Sequence, residues 1–358
     1  MPPLTIFHHK HSRNTGVLAP AGRILLLFFL LSHTPEATAQ KQNLPPLISL
    51  VPADTLHPGR VRIATLTAAV AYPVSISGLW KSWYSDYPIG KFHFFNDNGE
   101  WNQMDKAGHF FSTYQEARVG WHLARWSGFS NRKAAWLGFG LGQLVQTSFE
   151  VMDGFSTQWG FSLGDVAMNT LGASLFTTQQ IAWNEQRITL KMSTFPPHYP
   201  DDLVYPVRGQ APPVSLRERA RELYGTGLGS LLAKDYNAQV IWMSVNPRSF
   251  QKHEGGSIPR WLNVAVGMGS DNMYAGYGYA WLADKKCGGP DCVLYAVDPA
   301  KYPRTRQYFL SLDIDLTRIP VKNRVLRNVL LAVNTLKIPA PTLEFTSRGA
   351  FRFHPLYF

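Results

Sequence analysis

Residues 104–122 read MDKAGHFFSTYQEARVGWH, and two of them, Asp105 and His109, are of types that move protons or bind metals. In a helix they stand one turn apart and project from the same side, and Ser112 and Glu116 continue that side. A second stretch places Gln143, Gln146, Glu150 and Asp153 at helical spacing among Leu141, Leu144, Val145 and Phe149, so the four polar groups share one stripe of an apolar helix. A third begins at Asp165, with Asn169 and Gly172 following at i+4 and i+7 on one face. In such a set His109 would serve as general base or metal ligand, with Asp105, Glu150 and Asp165 as acids or ligands and Asn169 as an amide partner. His109, Glu150 and Asp165 are the ligands a divalent metal would take from facing helices; beyond that candidate the pattern specifies no cofactor.

Burying an unpaired carboxylate costs several kcal/mol, so if these faces turn inward the groups must meet each other, water or an ion. Each also has a local explanation. Asp165, after Ser162-Leu163-Gly164, suits a helix cap or first turn, and so does Asp105. Asn169 could make an ordinary cross-helix hydrogen bond. Glu150 and Asp153 are least explained this way, because they precede Gly154 at a helix end, where the dipole disfavours acids. A catalytic site and a structural polar lock both fit the pattern. No nucleophile motif is present: GFSTQWG (154–160) is not G-x-S-x-G. GSDNMYAGYGYAW (269–281) reads as a hairpin rather than a phosphate loop, and NDNG (96–99) as a turn rather than a calcium loop.

The elements that must position these residues follow from periodicity. An uncharged run after Arg62 reaches Trp80, where Pro73 would kink or end a helix. The three stretches above predict helices to about Ser127, over Ala134–Phe149 with Ser130 or Asn131 as cap, and over Asp165–Trp183. A charged helix at Leu216–Leu223 precedes a change to period two, with strands at Gln239–Val245, Trp261–Gly269, Tyr274–Trp281 and Tyr308–Leu316. Val321–Leu336 reads as a basic amphipathic helix that would pack on the sheet, and Thr342–Phe345 and Ala350–Phe358 as closing strands. The fold class is therefore α+β: a bundle of about four helices, then a β-rich antiparallel region with an amphipathic helix.

The organisation reads as a signal peptide at 1–39, a linker at 40–59, a helical domain at 60–184, a Pro-rich linker at 185–215 and a β-rich domain at 216–358. Lys10, Arg13 and Arg23, the apolar Ile24–Leu31 and Ala37-Thr38-Ala39 form the three parts of a secretory signal, too short to span a bilayer. The chain is thus expected to be exported, to the periplasm or the outer membrane. Its charge of +11 becomes +9 when residues 1–39, with three bases and Glu36, are removed. That balance suits peripheral contact with anionic lipid or another envelope component, while the lack of stacking aromatics among basic runs argues against nucleic acid. The two cysteines, Cys287 and Cys292 in KKCGGPDC, suit a disulfide in an oxidising compartment. The second helix carries Glu116, Arg118, His122 and Arg125, and the third and fourth apolar runs fall just short of spanning length, so a soluble or surface-resting bundle is expected, although Gly138, Gly140 and Gly142 would allow close packing in a membrane. The final FRFHPLYF ends on phenylalanine as outer-membrane barrels often do, but about six short strands are too few for a full barrel.

DK-x-x-H (105–109), Glu150 and GFSLGDVAMNTLGA (160–173) resemble an uncharacterised bacterial envelope family of predicted periplasmic lipoproteins. LLAKDYNAQVIWMSVN, RQYFLSLDIDLTRIP and KIPAPTLEF resemble its longer members, and D-x-x-x-N-x-x-G is similar to VanZ-like membrane proteins. The resemblance implies an envelope location without an activity. A lipoprotein requires a cysteine just after its signal, and this chain has none there, so release by ordinary signal peptidase is expected. The sequence leads to an exported envelope protein with a structural or binding role. The alternative is a metal-assisted hydrolase of an envelope lipid or cell-wall group, acting through His109 with Asp105, Glu150 and Asp165.

Overall fold

The computed structural model describes residues 45–84, 88–251, 258–284, 287 and 289–358. The signal segment and its cleavage site lie outside the described residues. Helix α1 (Pro58–Leu79) does not end at Pro73 and continues as a π-helical turn at Trp80–Tyr84. The helices that carry the motifs are α2 (Met104–Trp126), α3 (Asn131–Phe155) and α4 (Leu163–Ala182). Strands β1 (Ile188–Thr194), β2 (Leu203–Val204), β3 (Pro206–Arg208) and β4 (Val214–Ser215) follow, then helices α5 (Leu216–Tyr224) and α6 (Leu228–Ala233). The chain continues through β5 (Gln239–Val245), β6 (Leu262–Asp271), β7 (Ala280–Leu282), β8 (Leu294–Ala296) and β9 (Thr305–Ile314). It ends with α7 (Arg324–Val333), β10 (Ala340–Thr346) and β11 (Phe351–Tyr357). The fold is α+β.

Helices α2, α3 and α4 pack against one another because glycines line their contacts. A methyl group at Gly138 would collide with the Ala117 carbonyl oxygen, and one at Gly172 with that of Phe110. The i, i+7 relation of Asp165 and Gly172 thus has a steric meaning: the glycine lets α4 approach α2 closely enough for Asn169 to reach His109. Gly172→Ala should therefore cost about 1–3 kcal/mol by overpacking, measured as a lower urea midpoint. An unchanged midpoint would show that the helices can part freely. Tyr114 and Ala117 of α2 and Ala173 and Phe176 of α4 form one core with Leu190 of β1.

Strands β1-β5-β6-β9-β10-β11 form one antiparallel sheet in that order. It curls until β1 meets the segment leading into β10: Met192 N–H donates to Thr335 O at 2.9 Å and Lys337 N–H to Met192 O at 2.9 Å. The closed interior holds an apolar cluster of Val240, Trp242, Ala265 and Phe309 and, beside it, a polar network. Lys191 Nζ reaches Asp313 Oδ2 at 2.7 Å, Ser244 Oγ donates to the same oxygen at 2.6 Å, and Asn263 Nδ2 donates to Ser244 Oγ at 2.9 Å. Trp242 fills the remaining space, with Nε1–H on Ser193 Oγ and Phe309 against its ring. The outward residues of β1 and β5, among them Leu190, Met192 and Ile241, pack on the helices. On the outward side of β6, β9, β10 and β11, Val264, Val266, Tyr308, Leu310, Leu312, Phe345, Phe351 and Phe353 are exposed, while Met268 and Ser270 at the end of β6 meet the residues around the start of α2.

Several expectations are corrected. Ile188–Thr194, read as linker, is a strand of the main sheet; its Lys191 and Ser193 look like loop residues because they face polar partners in the interior. Tyr274–Trp281 is a strand only at its end, over Ala280–Leu282, since the glycine-rich part turns, with Gly278 at φ +57°. Helix α7 does not bury its apolar stripe on the sheet, and none of its residues is buried. Cys287 and Cys292 form the expected disulfide. β3, β8 and β7 form a small second sheet over a core of Leu216, Tyr274, Trp281 and Tyr295.

Candidate functional site

The approach to α2 is unusual. Trp101, Asn102 and Gln103 all have left-handed backbones, with φ of 48°, 50° and 66°. Non-glycine residues adopt this region at a cost and hold it only where surroundings dictate it. Here Gly276 O accepts from Trp101 N–H at 2.9 Å, Ser270 Oγ from Asn102 Nδ2 at 2.8 Å, and Asn102 O from Arg306 Nε at 3.3 Å. The rim of the sheet thereby sets where α2 begins and how its first turn is rotated.

Asp105 lies in that first turn, where its Oδ1 accepts from Tyr236 Oη at 2.7 Å. One turn on, His109 Nε2 stands 3.9 Å from Asp105 Oδ1, 3.7 Å from Glu150 Oε1 and 3.6 Å from Asp165 Oδ1. Three carboxylates from three helices thus surround one ring nitrogen. The other nitrogen, Nδ1, lies 3.1 Å from Asn169 Oδ1, and the Thr113 hydroxyl is 2.9 Å from that same oxygen. With Nδ1–H donated to an amide oxygen, a neutral ring presents its lone pair at Nε2, toward the carboxylates.

The floor of the site is fixed by α4. Ser162 caps that helix through a hydrogen bond from Asp165 N–H at 3.1 Å, and its own N–H donates to Glu150 Oε2 at 3.2 Å. Its hydroxyl donates to Asp97 Oδ1 at 2.6 Å. Lys106 Nζ lies 2.6 Å from Asp97 Oδ1, 2.8 Å from Asp165 Oδ1 and 3.4 Å from Asp105 Oδ2. Asp165 Oδ1 is at ion-pair distance from this ammonium but off the direction of a hydrogen bond, and Glu150 Oε1 has no hydrogen-bond partner. Glu150 is 1% exposed and Asp165 3%. Four carboxyl groups therefore share one ammonium and one imidazole.

Protonation follows from that crowding. Burial raises Glu150 to about 8, with Asp165 and Asp153 opposing its ionisation further. Burial and the Asp105 charge raise Asp165 to about 7. For His109 burial works against the cation, but Asp105, Asp165 and Glu150 outweigh it and bring the ring to about 9. Protons hold together here what an extra positive charge could hold instead.

All five sequence candidates, Asp105, His109, Glu150, Asp165 and Asn169, meet at this point. Asp105, His109 and Asp165 each offer a ligand atom within 4.8 Å of the others'. Of the α3 stripe only Glu150 joins: Asp153 accepts from the Tyr84 hydroxyl at 2.7 Å, Gln146 donates to Glu116 at 2.7 Å, and Gln143 Nε2 has no hydrogen-bond partner. Sequence reasoning missed Asp97, which sat in the stretch read as a turn, together with Lys106, Ser162 and Tyr236. Lys106 belongs to DK-x-x-H and could have been recognised from it. Tyr236, 131 residues from Asp105, left no local signal.

The cluster from Asp97 to Asn169 lies inside one family match. Residues 93–179 match the predicted periplasmic lipoprotein family DUF2279. The DUF2279 match spans α2–α4 and stops before the sheet, so Tyr236 and the closed strands lie beyond it. It supports an exported, periplasmic chain. No curated protein and no solved structure matches the chain.

Proposed function

We propose that the protein is an exported envelope protein whose helical core is organised about a divalent cation bound by His109 Nε2 and the carboxylates of Asp105, Glu150 and Asp165. The observation that carries this is Glu150 Oε1, a buried carboxylate oxygen without a hydrogen-bond partner, 3.7 Å from His109 Nε2. Such an atom is costly unless something positive meets it. A mixed set of one imidazole and carboxylates suits zinc or manganese, and Asn169, Lys106 and Tyr236 would hold the ligands in orientation. Zinc or manganese added to chelator-stripped, full-length protein should raise the unfolding temperature. At a hundredfold excess over Kd the stabilisation would be about 2.7 kcal/mol. No thermal shift, and no metal retained after dialysis, would defeat the reading.

A second reading is metal-assisted hydrolysis of an envelope lipid or cell-wall group. It is favoured by the mouth of the site, where the side chains of His109 and Asp105 are 16% and 23% exposed, so that a water molecule can reach the ligands. When bound, the metal would lower the pKa of that water. His109→Ala and Glu150→Gln separate the readings: an enzyme keeps its fold and loses turnover, whereas a structural lock loses thermal stability. Contact with anionic envelope lipid, at the outer membrane, belongs to the same proposal. It is supported by the basic charge balance and by exposed α7, with Arg324 and Arg327 beside Val325, Leu326 and Val329.

A further inference from the structure

Beside an inner apolar cluster, strands β6, β9 and β10 bury polar residues and expose apolar ones. An antiparallel strand with one covered face ordinarily buries its apolar residues and exposes its polar ones. In β9 the buried residues include Ser311 and Asp313, while Tyr308, Leu310 and Leu312 are 41–46% exposed. β6 repeats the pattern, with Asn263 buried and Val264 and Val266 at 39% and 50%. In β10 Thr342 and Glu344 are buried and Phe345 is exposed. The polar face cannot turn outward, because closure has locked it around the Lys191–Asp313 pair.

Register shows that the outward residues make one continuous surface. Val266 stands beside Leu310, Leu310 beside Leu343, and Leu343 beside Phe353. One row further, Tyr308 stands beside Phe345 and Phe345 beside Phe351. An aliphatic band thus ends in an aromatic row, and the next row holds Arg306, paired with Ser270, ahead of the turn that carries Arg348. At the opposite end the chain leaves β9 for Lys322 and the exposed α7 with Arg324 and Arg327. From Tyr308 to Ile314 the band is about 20 Å tall at a strand rise of 3.3 Å per residue. Apolar outside, aromatic at the edge and cationic beyond is the order that strands facing lipid adopt.

A second element has the same character. α1 is uncharged from Ile63 to Trp80, with only Arg60 buried and Leu66, Val70 and Val74 about two-thirds exposed. At 22 residues it is long and apolar enough to cross a membrane, the one such helix among the described residues. A helix apolar on all sides needs a core or acyl chains around it, and the body covers almost none of it.

We propose that the outward face of β6, β9, β10 and β11 lies against the acyl chains of a lipid bilayer whose anionic head groups meet the flanking arginines. This rests on the lipid contact of the preceding reading and names the surface that makes it. The test takes advantage of the absence of other thiols: both cysteines of the sequence are joined to each other. A nitroxide is attached to Leu310→Cys, and in a separate protein to Leu203→Cys, which lies exposed on β2. Each full-length protein is mixed with vesicles of phosphatidylethanolamine and phosphatidylglycerol, floated on a density gradient, and probed for collisions with oxygen and with a water-soluble nickel complex. The expected result is flotation, with position 310 reached by oxygen and shielded from nickel, and position 203 reached by nickel. Leu310→Asp combined with Phe345→Asp should reduce the floated fraction about tenfold while circular dichroism stays unchanged. Flotation with position 310 open to nickel would overturn the surface and leave lipid contact standing; failure to float would overturn both. Shielding at position 310 without lipid, accompanied by dimer in sedimentation, would assign the face to a second copy and overturn the proposal.

Discussion

Asp165→Asn should weaken zinc or manganese binding by on the order of 100-fold, read by competition with a chelating dye, while the protein remains folded. The replacement keeps shape and removes one of three charges that face His109 Nε2 from 3.6–3.9 Å. It also removes the Asp165 charge that adds to burial in holding Glu150 at about 8. The metal-free variant should therefore be no less stable than the metal-free parent. That pairing of outcomes is what separates a binding centre from a polar lock. In a lock, Asp165→Asn would remove the 2.8 Å contact to Lys106 and lower stability whether or not metal is present. Unchanged affinity would remove Asp165 from the ligand set.

The second large effect lies inside the closed sheet. Asp313→Ala should destabilise the protein by about 3–5 kcal/mol, because it leaves a fully buried lysine charge without its carboxylate. Lys191 Nζ would keep only the Ile314 carbonyl oxygen at 2.7 Å, and Ser244 Oγ and the Ile338 N–H would lose their acceptor. Both partners of the pair are fully buried, so solvent cannot screen the loss. Urea unfolding followed by tryptophan fluorescence would report it, since Trp242 sits beside this network. Replacing both charges together, Lys191→Met with Asp313→Leu, should restore most of the stability, as an apolar pair of similar volume removes the desolvation cost on both sides. A single substitution with an unchanged midpoint would mean that water enters the interior.

The two halves of the chain were unequally legible in its sequence. Helical spacing was enough to place Asp105 with His109, and Asp165 with Asn169, because i, i+4 pairs share a helix face whatever the tertiary context. Meeting of the three faces was legible too, since burying one such stripe alone is costly. What periodicity could not reveal was the second layer of the site. Asp97 and Tyr236 arrive from a turn and from the loop before β5, and only the closed structure brings them in. In the sheet, alternation located β5, β6, β9, β10 and β11 but not the direction of burial. Tyr308, Leu310 and Leu312 alternate equally well whether their side faces a core or a solvent, and the usual preference for apolar-in gives the opposite of what closure imposes. β1 escaped notice for the same reason. ITLKMST reads as half polar, yet Lys191 and Ser193 are its buried residues.

The three left-handed residues ahead of α2 make the histidine site a product of the whole chain. Within the helical segment Met104 N–H donates to Trp101 O; the other bonds on Trp101 and Asn102 come from Gly276, Ser270 and Arg306, which follow by more than 160 residues. A fragment cut off after α4 could wind α1–α4 and still present Asp105 at the wrong angle, lacking Tyr236 as well. The strands thus behave as a jig for the helices, and trimming the protein down to its motifs would dismantle what those motifs need in order to meet.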